Sequence, residues 1–424
     1  MSATRRSFMK TVLAGGVLGQ GLNLTFTRDL FAKPTGKPII IGHQCDLTGA
    51  ISSWGYWLDK AAKAACDHLN ANNGIAGRPV QYVVEDTETN PPTGARKFRS
   101  LVQRNEADFV IGSVHSGVNL ASVPIAKELQ TIYIPQGMAA EMTESKGNRY
   151  IFRVGSDTYS QAAAGVEWAV KNLGKKWSFV FADYAWGWSH FNEHKALLDK
   201  MGASIGDPIA VPVDAKDLLP YLAKVNKDAE QLYSVFIGSQ SVAYYTQSKS
   251  LGLDKRMNRY SVLCTHESIS PKELAGASEG IYMLEYMPRG LKYKDTAHNR
   301  KLRELMKVDP VDGKEEGSNR ILASSHYWAT WESVFFIQKA VEKSGWKTKK
   351  DTPEFIKALE GMKVEESFEH PQGPKYIRKE DHKAVIDFYM SRVENGEIHV
   401  KQKIAAADLE KRFPPRHDFT KESF

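Results

Sequence analysis

From Pro38 onward the chain alternates short apolar runs with longer stretches in which apolar residues recur every third or fourth position. That rhythm predicts strands alternating with amphipathic helices. Pro38 to Gly42 reads as a buried strand, and Trp54 to Asn72 as a helix with Leu58, Ala61, Ala62, Ala65 and Leu69 on one face. Gly74-Ile75-Ala76-Gly77 turns the chain into a strand from Val80 to Glu85. A helix from Pro92 to Arg104, a strand from Asp108 to Gly112, a helix from Ser116 to Leu129 and a strand from Ile132 to Pro135 follow. This βαβαβαβ order predicts a mostly parallel sheet with helices on both faces.

The pattern then restarts. Tyr150 to Val154 leads into a helix from Gln161 to Leu173, strand Trp177 to Ala182, helix Ser189 to Met201 and strand Ala203 to Ala210. Helix Leu218 to Lys227, strand Leu232 to Ile237, helix Val242 to Leu251 and strands Tyr260 to Cys264 and Gly280 to Tyr286 complete a second unit. The remainder holds helices near Thr296 to Met306, Ser324 to Ser344 and Pro353 to Leu359. It closes with an antiparallel pair, Ala384 to Val393 and Glu397 to Ile404, turned at Glu394-Asn395-Gly396. Neither part of this tail is self-sufficient, so it is expected to return to both lobes and make a hinge of several crossings. The expected division is residues 1–32 as an export segment, 37–156 plus 287–362 as one lobe, and 157–286 plus 363–424 as the other.

Composition changes this picture little: 424 residues, 42% apolar and 25% charged, are ordinary for a two-domain globular chain. The net charge of +7 falls to about +4 once residues 1–32 are set aside, and no basic run is interleaved with aromatics, so nucleic acid is not an expected partner. Thr4-Arg5-Arg6-Ser7-Phe8-Met9-Lys10 is a twin-arginine box, followed by a glycine-broken apolar stretch from Thr11 to Leu24. That combination predicts export to the periplasm in the folded state, with cleavage after Ala32. Cys45, Cys66 and Cys264 are an odd number without metal-site spacing and read as small buried hydrophobes; a Cys45–Cys66 bridge stays open.

Several segments, in order, resemble the type I periplasmic binding proteins, and among them the leucine/isoleucine/valine-binding receptors of ABC transporters. They are Leu47-Thr48-Gly49 with Trp54-Gly55; Asn70 to Val80; Glu85-Asp86-Thr87 with Pro91; Val110-Ile111-Gly112-Ser113; Pro135 to Thr143; and Ser250-Leu251-Gly252-Leu253. The resemblance covers about Pro38 to Ile404. It implies a two-lobed α/β fold, each lobe a mostly parallel sheet flanked by helices, joined by a multi-crossover hinge. It further implies a monomer without cofactor or catalysis, which captures a small carboxylate-bearing solute (amino acid, amide or aromatic acid) and delivers it to a permease in the inner membrane. A ligand sensor on the same fold is the alternative within the family.

The same resemblance places the solute in the cleft. Its carboxylate is expected at His115-Ser116-Gly117, where a helix N-terminus offers free N–H groups and Ser116 is a suitable cap. Trp54, Gln136, Gly137 and Met138 are expected from the first lobe; Tyr184, Trp186, Ser239, Gln240, His266 and Glu267 from the second, with Glu267 as the ammonium partner. Trp54, Tyr56 and Trp57 face Tyr184, Trp186 and Trp188 across the entrance, which suits a planar ring or a cationic head. Glu88 and His115 form an expected titratable pair beside the anion site. One enzyme-like pattern, His190-x-x-Glu193-His194, matches the inverted zinc-peptidase motif and marks a zinc hydrolase as the rival class; its ordinary reading is a solvated helix face.

Overall fold

The computed structural model describes residues 33–424 as one compact unit; the twin-arginine segment lies outside the described residues. The first sheet is built from β1 (Ile39–Cys45), β2 (Val80–Asp86), β3 (Phe109–Gly112) and β4 (Ile132–Pro135), all parallel, in the order β2-β1-β3-β4. Every residue of β1, β3 and β4 is buried. A strand covered by helices on both faces needs continuous rather than alternating apolarity, which β3 and β4 carry and β1 carries as far as Ile41, before the buried His43 and Gln44. The crossovers are α1 (Ser52–Ala71), α2 (Pro91–Arg99) and α3 (Ser116–Glu128). The predicted face of α1, Leu58 to Leu69, is buried.

The second unit runs through α4 (Thr158–Leu173), β5 (Lys176–Ala182), α5 (Ala185–Lys200), β6 (Ser204–Ile205), β7 (Ile209–Val211), α6 (Leu219–Leu222), β8 (Gln231–Val235), α7 (Gly238–Ser250), α8 (Leu253–Arg256), β9 (Asn258–Val262) and β10 (Tyr282–Glu285). The tail supplies α9 (Ala297–Met306), α10 (Tyr327–Ser344), α11 (Thr352–Leu359), β11 (Lys363–Val364), β12 (Lys375–Ile377), β13 (Ala384–Val385), β14 (Phe388–Glu394), β15 (Glu397–Ile404) and α12 (Ala406–Leu409). Helices α9 and α10 pack on α1, whereas β14 pairs with β10 and extends the second sheet to β15-β14-β10-β9-β8-β5-β6. The chain therefore passes between the sheets three times: after β4, after β10 and between α11 and β14. At the first passage the Arg153 backbone bridges to Lys383, tying it to the small β11-β12-β13 sheet of the last.

Local differences from the sequence reading have clear causes. Ala203 to Ala210 is two short strands, broken at Gly206-Asp207-Pro208, because proline cannot donate to a ladder. The helix expected from Leu218 to Lys227 shrinks to the single turn Leu219–Leu222, with Pro220 in its first turn. Cys45, Cys66 and Cys264 are free and buried, with burial pushing the Cys66 thiol up to about 12. No described helix is long and apolar enough to cross a membrane.

Candidate functional site

In open α/β sheets the crevice lies beyond the carboxyl ends of the strands, and here both sheets aim those ends at one cavity. Its lining is Ile51 and Trp54 after β1, Val114 after β3, Met138 after β4, Tyr184 and Trp186 after β5, Ile237 after β8, Cys264 after β9, and His326 immediately before α10. The two sides touch at its rim: the His115 and Tyr184 rings stack with centroids 5.0 Å apart, and the Cys264 thiol lies 3.7 Å from the Met138 sulfur. This is a closed arrangement.

The wall is aromatic and soft. Trp54 and Trp186 are almost wholly buried, and their indole Nε1 atoms have no partner. The Met138 sulfur accepts from Gln161 Nε2 at 3.1 Å. His326 is buried, its Nδ1 lies 2.6 Å from Ser325 Oγ, and its Nε2 has no partner. Burial lowers the His326 imidazole to about 3, so it is neutral at physiological pH.

Behind Val114 sits a carboxylate that the sequence reading left out. Asp46 accepts from the N–H of Val114 at 2.7 Å and of His115 at 3.4 Å, from Ser113 Oγ at 2.9 Å, and from the Thr87 hydroxyl. Burial pushes its carboxyl above the usual range, and those four donors act against the shift. Two glycines make the nest possible. A Cβ at Gly55 would lie 1.9 Å from the Asp46 carbonyl oxygen; at Gly112, with φ +100°, it would meet the Gln44 carbonyl oxygen at 2.5 Å.

The expected site residues divide accordingly. Trp54, Met138, Tyr184 and Trp186 line the cavity, and His115 packs at its rim. Ser116 is not the cap of α3: His115 is, its Nδ1 accepting from Val118 N at 3.2 Å, while Ser116 Oγ accepts from Ala139 N at 3.2 Å. Gln136 donates to Ser333 Oγ at 3.1 Å, and the Gly137 carbonyl accepts from Arg153. Gln240 is held by the carbonyls of Pro212 and Ala215, with Ser239 beside it at the start of α7; Ile237 reaches the cavity instead. His266 Nδ1 lies 2.5 Å from Tyr245 OH. Glu267 is buried against Arg289, 3.5 Å away, and the Ser325 N–H, and burial lifts its carboxyl to about 7. Neither His266 nor Glu267 is on the lining. Trp57 donates to the Ile321 carbonyl, Trp188 is exposed, and Tyr56 donates to the buried Glu315. Glu88 is exposed, and the carboxylate bonded at His115 is Asp46.

The His190 and His194 pair is not a solvated face: both are fully buried, His190 against Trp186 and Tyr233 and His194 against Tyr233 and Trp177, because α5 is covered on that side by the second sheet. Glu193 gives both carboxylate oxygens to Arg416 at 2.8 Å. Among the described residues no group of three or more His, Cys, Asp or Glu side chains could hold a metal ion.

The profile described as periplasmic binding protein matches residues 38–397. The chain belongs to that family. Within it, the chain is 25% identical over 333 residues to the leucine-, isoleucine-, valine-, threonine- and alanine-binding protein of Pseudomonas aeruginosa, covering 77% of this chain and 82% of that protein. It is 30% identical to the chemotactic signal transduction system substrate-binding protein BasB of Halobacterium salinarum, over 134 residues that make up 30% of this chain and 32% of BasB. The fold is shared with the solute-binding protein of an ABC transporter from Rhodopseudomonas palustris in complex with 3,4-dihydroxybenzoic acid. That likeness has a TM-score of 0.73 at 21% identity and covers 87% of this chain and 98% of that one. The two-lobed α/β architecture of periplasmic binding proteins is thus the architecture of this chain, and its relatives are binding proteins.

Proposed function

We propose that this protein is the periplasmic solute receptor of an ABC transporter, without catalytic activity, and that it closes over one small ring-bearing solute between Trp54 and Trp186. One observation carries the reading: aromatic side chains from both sheets, Trp54 on one side and Tyr184 and Trp186 on the other, wall a single cavity. A planar ring gains stacking and apolar contact from such walls only when both lobes are in place, so the solute favours the closed state and is the reason for closure. The twin-arginine segment supports the periplasmic location, and the three-crossing hinge supports a closed shape that is presented to a permease in the inner membrane. The solute is drawn from amino acids, amides and aromatic acids, with the ring-bearing members favoured by the tryptophans.

The test is a thermal-shift screen of the purified protein against those classes. A solute at about a hundred times its Kd adds about 2.7 kcal/mol of stability, a rise of several degrees. Trp186→Ala is expected to lower the affinity for that solute at least tenfold, about 1.4 kcal/mol; because Trp186 is almost wholly buried, the variant also melts lower when empty, and the affinity is read at a temperature where it is folded. Silence across every ring-bearing solute, or an unaltered affinity in Trp186→Ala, removes this reading.

A further inference from the structure

None of the nine side chains on the cavity wall carries a formal charge, His326 being neutral. The donors at the mouth of β3 that could meet an anion are partly used already. Asp46 takes the N–H groups of Val114 and His115 together with the Ser113 and Thr87 hydroxyls, and none of these four partners is a cation. The protein therefore supplies its own carboxylate at the place where a solute carboxylate would seek its partners. The nearby cations are committed elsewhere. Arg153 donates to the carbonyls of Gly137 and Ala139 and feels Asp157 and Glu144; Arg289 faces Glu267. What remains unmet on the wall is three buried polar atoms: Nε1 of Trp54, Nε1 of Trp186 and Nε2 of His326.

We propose that the solute of this cavity is a planar aromatic molecule with an uncharged oxygen head group, of the aromatic amide class, and that Asp46, Trp54, Trp186 and His326 select it over aromatic carboxylates and α-amino acids. The proposal rests on the receptor reading above and names the ligand class of that same cavity. An uncharged carbonyl can accept the two indole N–H groups, leaving the imidazole for an amide or hydroxyl proton, and satisfies buried donors that otherwise have no partner. A carboxylate could accept the same bonds, but it would be desolvated with no counter-charge on the wall and with Asp46 one residue behind Val114. An α-ammonium would need a free carboxylate, and Glu267, the one expected to serve, is held by Arg289 and Ser325. A quaternary cation would gain from the aromatic walls yet leave both indole N–H groups unpaired.

The experiment compares near-isosteric probes by tryptophan fluorescence titration and calorimetry on the purified full chain. The probes are benzamide against benzoate, their 4-hydroxy analogues, phenylalanine and benzyltrimethylammonium. The amides are expected to bind at least tenfold more tightly than the matching carboxylates and than phenylalanine. Asp46→Asn, which removes the charge, is expected to narrow that gap at least threefold by improving the carboxylates. Because Asp46 is a buried hub, the comparison in unmodified protein stands whether or not that variant folds. Carboxylate binding equal to or tighter than amide binding, or tightest binding of phenylalanine or the quaternary amine, overturns the head-group assignment and leaves the receptor reading intact. Binding of no aromatic probe at all overturns both, and an unchanged gap in folded Asp46→Asn removes Asp46 from the selection.

Discussion

Lys383→Met is expected to cost about 3–5 kcal/mol of unfolding free energy, the loss typical of breaking a buried ion pair from one side. Lys383 is buried, and its ammonium lies 2.8 Å from Glu144 and 2.7 Å from Asp157. Burial alone would raise the Asp157 carboxyl; the charges of Lys383 and Arg153 hold it well below the usual carboxylate range instead. Methionine keeps most of the length of the side chain and removes the charge, so Asp157 is left desolvated with a weaker partner. Glu144 retains Arg416 at 3.1 Å, which places the larger share of the loss on Asp157. Urea unfolding at pH 7 reads the effect, and adding Asp157→Asn to Lys383→Met should recover more than 1 kcal/mol, a coupling that distant sites do not show. A loss under 1 kcal/mol, or strictly additive variants, would mean that this pair does not hold the crossing together.

Acidification from pH 7 to pH 5 is expected to remove a large part of the 5–15 kcal/mol that domains ordinarily possess. Burial lowers the imidazoles of His43, His115, His194 and His326 to about 3, about 4, about 4 and about 3, and holds those of His190 and His266 well below the ordinary value. Below the ordinary imidazole value near 6.5 the unfolded chain binds protons that the native chain refuses, so stability falls with pH. Each ring contributes about 2 kcal/mol of that loss at pH 5. Glu267 acts in the opposite sense. With its carboxyl lifted to about 7, above the ordinary 4.5, the native state takes up its proton first on acidification and regains about 2 kcal/mol. Chemical denaturation midpoints at constant ionic strength and pH 7, 6 and 5 test the balance, and a flat series would contradict it. Glu267→Gln removes the opposing contribution and should steepen the fall by about 2 kcal/mol.

The lobes were legible wherever one segment decides its own structure. The α1 face, the parallel strands and the turn at Asn395-Gly396, where both residues take positive φ, follow from spacing and turn chemistry alone. The burial of His190 and His194 was not legible, because a helix covered on two sides loses the clean polar face that periodicity needs. Four of the nine residues on the cavity wall, Trp54, Met138, Tyr184 and Trp186, were expected through the family resemblance. His326 could not be: it reaches the cavity from a segment whose position depends on the chain returning between the sheets, and no local pattern encodes that return. The one signal for His326 was its place directly before a long apolar helix, and for Asp46 its place at the end of the first strand, where the crevice of such sheets opens.

All three thiols are buried and unpaired, and Cys45 spends its proton on the Gly55 carbonyl. No step toward the native core therefore waits for an oxidant. The fold can be completed in a reducing compartment as readily as in an oxidising one, and an exported copy carries no bond for thiol exchange to reshuffle.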